Sequence, residues 1–139
     1  MSAKDLFHDV VKKALQKEGW KITHDPLTIP ITRTTNMYID LGAEKIIAAD
    51  RDGQKIAVEI KTFLTTSELY EFHLAVGQYI NYRYALEDRE PERILYLAVP
   101  LEIYDDFFTM PFVQKVIEGS QINLLIYDVQ REEISLWKT

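Results

Sequence analysis

A chain of 139 residues that is 47% hydrophobic can bury one core, and one domain over residues 1–139 is expected. It has no cysteine, no charged-then-apolar leader and no run of about 18 or more apolar residues, so disulfides, secretion and membrane spanning lack support and a cytoplasmic location is expected. The net charge of −6 excludes bulk electrostatic coating of nucleic acid, but residues 1–61 hold ten Lys/Arg against nine Asp/Glu and residues 62–139 six against thirteen. A phosphate-facing surface belongs in the N-terminal half, where Lys4, Lys12, Lys13, Lys17 and Lys21 cluster, unless these are simply the solvated face of a helix.

From Ala3 to Glu18, Phe7, Val10, Val11, Ala14 and Leu15 recur at helical spacing, and Gly19 is a natural stop. A short strand follows over Trp20–Thr23, then an irregular loop from Asp25-Pro26 to Asn36. Met37–Leu41, Lys45–Ala49 and Lys55–Phe63 read as an antiparallel set, with Asp52-Gly53 turning between the last two. Thr65 and Glu68 fit a capping box for a helix to about Glu87, with Leu69, Phe72, Val76, Tyr79, Ile80 and Tyr84 as its apolar face. Ile94–Val99, ending at Pro100, has the continuous apolar character of a strand covered on both faces. A shorter helix over Tyr104–Ile117, interrupted near Pro111, precedes a hairpin of Ile122–Val129 and Glu133–Trp137. The order reads α-β-β-β-α-β-α-β-β, an α/β (α+β) chain with a mixed sheet flanked by helices.

In Val58-Glu59-Ile60-Lys61 the strand period of two sends Glu59 and Lys61 to one face. Asp40, 19 residues earlier, lies just before a strand that the Asp52-Gly53 turn folds back along Lys55–Phe63, which can bring its carboxylate near Glu59. Mg²⁺ or Mn²⁺ is the cofactor such a set suits: Asp40, Glu59 and the Ile60 carbonyl would hold the ion, and Lys61 would orient the nucleophile or stabilise the transition state. Gln78 on the second helix could bind a metal-bound water or a phosphate there, although a solvated helix position explains it slightly better. His8 could reach the site from the first helix, and Glu44 and Asp50 are spare carboxylates if the register differs. His24 and His73 lack metal-ligand spacing, so zinc is not expected. Glu-x-Lys alone is weak. The upstream Asp, the Gly-containing hairpin and the following amphipathic helix together describe the core of a PD-(D/E)XK nuclease.

Stretches along the whole chain resemble the cyanobacterial XisH family, the fdxN element excision controlling factors. They are Ala3–Asp9, Gly19-Trp20, Tyr38–Glu44, Val58–Lys61, Gly77–Arg83, Leu95–Pro100 and Ile126–Asp128. The resemblance implies a restriction-endonuclease-like fold and a role in programmed DNA excision by a site-specific recombinase, alongside a companion protein, XisI. Ile39 stands where the wider nuclease pattern often has Pro, and His8 where many relatives carry an acid on the first helix.

Three readings stay open: an Mg²⁺-dependent DNA endonuclease, a non-cleaving factor that binds DNA, XisI or the recombinase through the same fold, and an interaction module whose charged strand face is incidental. A homodimer is compatible with each.

Overall fold

The computed structural model describes residues 2–45, 53–64 and 66–139. Helix α1 (Ala3–Lys17) starts at Ser2, whose side chain accepts the Asp5 N–H, and ends before Gly19, whose φ of +91° needs glycine. Val10, Val11, Ala14 and Leu15 are its buried stripe, as the spacing predicts.

Strands β1 (Lys21–His24), β2 (Leu27–Pro30), β3 (Asn36–Ile39), β4 (Leu41–Lys45) and β5 (Gln54–Ile60) follow, so among the described residues five strands precede α2 (Glu68–Arg89), where four segments read as strands and the element order counted three. The segment expected to be an irregular loop contains β2, which pairs antiparallel with β3 in a separate two-stranded sheet. Leu27 and Ile29 are buried and alternate with exposed Thr28 and Pro30; the strand is a two-stranded edge, where proline is tolerated. The expected strand Met37–Leu41 is divided at Asp40: Ile39 ends β3, and Leu41 begins β4 in the main sheet. Beyond Lys45, the expected strand Lys45–Ala49 lies outside the described residues, as do Asp50, Asp52 and Thr65.

The cap of α2 is Ser67, which accepts the Tyr70 N–H, and the helix runs two residues past Glu87. Its apolar face is turned from the expected one: Leu69 and Tyr84 are 48% and 64% exposed, whereas Ala75, Ala85 and Leu86 are buried with Phe72 and Tyr79. Strand β6 (Arg93–Pro100) leads to a helical turn α3 (Leu101–Ile103) that widens into a π-helical turn (Tyr104–Phe108). The helical run is interrupted near Pro111, as expected: it stops at Phe108 and restarts with Pro111 at the first turn of α4 (Pro111–Gly119), where its missing N–H costs nothing. Strands β7 (Leu124–Asp128) and β8 (Glu133–Lys138) close the chain as the expected hairpin.

The main sheet has the order β1-β4-β5-β6-β7-β8, with β5, β6 and β7 parallel and the flanking pairs antiparallel. This is the mixed sheet flanked by helices. One face packs Ala57, Leu95, Leu97 and Val99 against α2, α4 and the inner side of the β2–β3 hairpin. The other packs Val58, Ile60, Tyr96 and Ala98 against α1. Strand β6 is thus covered on both faces. No helix among the described residues is long and apolar enough to cross a membrane.

Tyr79 ties α2 to the sheet through its hydroxyl, which donates to the Leu95 carbonyl at 2.9 Å and accepts the Asn123 N–H at 3.1 Å. Burial raises the pKa of this phenol, so it stays neutral and available for both bonds. Tyr79→Phe should therefore lower unfolding free energy by about 1–3 kcal/mol, because a part-buried amide loses its acceptor and the Leu95 carbonyl loses a donor. Urea denaturation with an unchanged m-value would show it; an unchanged midpoint would contradict it.

Candidate active site at the end of the fifth strand

The β4–β5 ladder ends where Leu41 faces Val58, so the last residues of β5 run on past their partner strand. Their backbone groups still need partners, and Asp40 supplies them. The Ile60 N–H donates to Asp40 Oδ2 at 2.8 Å, and the Asp40 N–H donates to Glu59 Oε1 at 3.3 Å. These reciprocal bonds hold both carboxylates at one strand end. A strand residue directs its N–H and C=O to the same edge, so the Ile60 carbonyl points toward the Asp40 side. The next N–H, of Lys61, points the other way and donates to Ala98 O at 2.9 Å.

Glu59 is 6% exposed, and its Oε2 lies 3.6 Å from the Lys61 Nζ, whose side chain is 20% exposed. Burial and the charge of Asp40 push the Glu59 carboxyl up to about 8, against the opposing pull of Lys61. Near pH 7 Glu59 is therefore held largely as the neutral acid, which leaves the charges of Asp40 and Lys61 to balance. Among the described residues no group of three or more His, Cys, Asp or Glu side chains gathers to hold a metal ion. A cation here would rest on the two carboxylates and a carbonyl, completed by water or phosphate. Mg²⁺ and Mn²⁺ accept that set, and zinc does not suit it.

Sequence reasoning missed Tyr82, which faces the site from α2. Burial, then the charges of Glu59 and Asp40, push its phenol up to about 12. Gln78 lies one turn earlier on the same flank of α2, and its Oε1 is buried with no hydrogen-bond partner. Such an orphaned acceptor is rare, and an ordered water is the donor that ordinarily satisfies one. The i, i+4 spacing of Gln78 and Tyr82 is the signal that could have found Tyr82. On the opposite face of the sheet, the Tyr127 hydroxyl donates to the Lys61 carbonyl at 3.1 Å, and Phe7 of α1 packs edge-on against the Tyr127 ring. Burial, then the charge of Asp40, raises the Tyr127 phenol.

The other sequence candidates lie elsewhere. His8 bonds Asp25 at 2.7 Å, beside Lys12 at 2.8 Å from the same carboxylate. Burial pushes Asp25 up, but the bonds from Lys12 and His8 outweigh it and hold the carboxyl below its usual range. Glu44 faces Lys55 at 3.9 Å near the far end of β4. His24 bonds Thr23 and stands over Gly42, and His73 is exposed on α2. A cleft of about 340 Å³ beside the strand end is lined by Phe7, Thr62, Leu64, Leu101 and Glu102, but by neither Asp40 nor Glu59.

The XisH protein family model matches residues 1–135. Among solved structures, an XisH family protein from Nostoc punctiforme PCC 73102 is 50% identical, with a TM-score of 0.88 over 97% of this chain and 100% of that one. A fdxN element excision controlling factor protein from Anabaena variabilis is 49% identical, with a TM-score of 0.86 over 97% of this chain and 99% of that one. A search of the curated proteins finds no match.

The Glu59 shift has a consequence for stability. A carboxyl raised from 4.5 to about 8 binds more protons folded than unfolded, so its contribution is full below about pH 4.5 and is lost as pH rises through about 8. In EDTA, Glu59→Gln should therefore melt above the wild type at pH 8–9, and the gap should close toward pH 4.5. Parallel melting curves across that range would refute the assignment.

Proposed function

Because this chain belongs to the XisH family, we propose that it is a divalent-metal-dependent DNA endonuclease acting in programmed DNA excision, built on a restriction-endonuclease-like core. The observation that carries this reading is the pair of reciprocal bonds that brings Asp40 and Glu59 together beside Lys61 at a strand end. The relative titled a fdxN element excision controlling factor supports the biological setting.

Asp40 and Glu59, with the Ile60 carbonyl, would hold Mg²⁺ or Mn²⁺. When bound, that ion would neutralise phosphate charge and acidify water. Lys61 directs its ammonium at the attacked phosphate, where negative charge grows in the transition state. Gln78 and Tyr82 hold water at the α2 side of the site. Water oxygen bonds to phosphorus, the bond to one bridging oxygen breaks, and a water proton ends on that leaving oxygen. This is phosphodiester hydrolysis, with in-line attack set by positioning rather than by a covalent enzyme intermediate.

A second reading is favoured by the cleft beside the site, whose apolar Leu64, Leu101 and Ile103 are rimmed by Glu102 and Asp128. In that reading the chain is an accessory factor that engages XisI or a site-specific recombinase, and the carboxylates do not cut.

Supercoiled plasmid incubated with Mn²⁺ should be nicked or cleaved by the wild type. Lys61→Ala should reduce the rate by about 10²–10³-fold, the scale of losing one transition-state donor, and Asp40→Asn should abolish cutting. Equal rates for Lys61→Ala and wild type would overturn the nuclease reading. Mn²⁺ binding followed by electron paramagnetic resonance should be lost in Asp40→Asn and kept in Lys61→Ala; binding indifferent to Asp40 would remove the metal assignment.

A further inference from the structure

Three of the four lysines of α1 are already engaged within the chain. Lys12 is paired with Asp25, Lys13 with Glu132 at 3.2 Å, and Lys17 donates to the Arg131 carbonyl at 3.0 Å. The chain carries an alternative on the element that ends in Asp40.

Residues 27–39, the β2–β3 hairpin, contain no Asp or Glu and a single charged residue, Arg33, in a protein of net charge −6. Leu27, Ile29 and Ile39 are buried against α2, which fixes the hairpin on the body of the fold. Residues 31–36 are all exposed. The tip is not loose: Ile31 and Thr32 N–H groups donate to the Thr35 carbonyl at 2.9 and 3.1 Å, and the Thr34 N–H donates to Thr32 Oγ1 at 3.3 Å. Arg33 lies inside this turn and has no ion pair among the described residues. Thr32, Thr34 and Thr35 flank it with hydroxyls, which donate to phosphate oxygens as readily as to water. On the other side of the strand end, Glu102 and Asp128 rim the cleft and Asp105 and Asp106 follow on the π-helical turn, a surface that repels a polyanion.

We infer that the β2–β3 hairpin is the DNA-contacting arm of this protein, with Arg33 clamping a backbone phosphate a few nucleotides from the scissile bond. The inference rests on the nuclease reading for its substrate, but not for its chemistry. Four strand residues separate Asp40 from the start of the turn, a reach of about 14 Å at about 3.4 Å per residue. Along a duplex axis with one phosphate of each strand every 3.4 Å or so, that is about four base pairs. Such a contact fixes register and orientation without reading sequence. It also explains how an acidic protein presents a surface to DNA: the acid-free hairpin adjoins the carboxylates that would be neutralised by the cation.

The test is fluorescence anisotropy of a labelled 30-base-pair duplex with the full chain in EDTA, over a salt series, alongside plasmid cutting in Mn²⁺. The variants are Arg33→Glu, Arg33→Lys, and Lys115→Glu as a matched charge change on α4. Thermal unfolding establishes that each is folded. Arg33→Glu should weaken binding at least tenfold and Arg33→Lys much less. Arg33→Glu should also reduce the slope of log affinity against log salt by about one, the signature of one lost phosphate contact. Lys115→Glu should stay within about twofold. Equal losses for Arg33→Glu and Lys115→Glu, or no loss for Arg33→Glu, would overturn the arm. A wild type that binds through Arg33 yet cuts nothing keeps the arm and removes hydrolysis. A wild type that cuts while Arg33→Glu binds normally keeps hydrolysis and removes the arm; a wild type that does not bind removes the arm outright.

Discussion

Between Ile39 and Leu41 the backbone leaves one sheet and enters another, and the residue at that junction satisfies the end of a third strand. Asp40 takes the Ile60 N–H that the shorter β4 cannot reach and gives its own N–H to Glu59. An uncapped N–H at that position would be a buried donor without an acceptor, at a cost of about 1–3 kcal/mol. The same bonds that complete the backbone bring two carboxylates side by side, a repulsive arrangement that burial of Glu59 strengthens. Local hydrogen bonding and electrostatics therefore pull in opposite directions at one point, and holding Glu59 protonated near pH 7 is what relieves the conflict.

The rest of the molecule serves to keep that point fixed. The central strands are covered on both faces, with Leu97 and Val99 under α2 and Tyr96 and Ala98 under α1. Because side chains alternate, Glu59 and Lys61 fall on the α2 side and Ile60 on the α1 side, so the two helices control different parts of the site. Tyr82 approaches the charged groups from α2, while Tyr127, packed against Phe7, grips the backbone of Lys61 from behind.

Much of this was legible from residue order. The period of two is enough to pair Glu59 with Lys61, and the stripe of Val10, Val11, Ala14 and Leu15 is enough to orient α1. Asp40 could be brought near Glu59 by the fold-back of β5, but its backbone bonds could not, because a capping role depends on where the neighbouring strand stops. Strand β2 was hidden by Pro26 and Pro30, which look like loop residues unless an edge position is known. The face of α2 was misjudged at both ends because Leu69 and Tyr84 are large and apolar, whereas the helix buries the smaller Ala75 and Ala85; residue size is a poor guide where a helix lies close on a sheet. That rotation is also why Tyr84 was expected inside while Tyr82 faces the carboxylates.

The hairpin is clamped at both of its roots. Asp25, just before β2, is held by His8 and Lys12 of α1, and Asp40, just after β3, is held by Ile60. Held at both roots, the hairpin would carry a load applied at Arg33 down two strands into the junctions. One of those junctions is the carboxylate that would ligate the metal. If the arm proposed above holds DNA, strain in that duplex would reach Asp40 as a torque on its backbone, and the tension of the duplex and the alignment of the two carboxylates would be properties of a single lever.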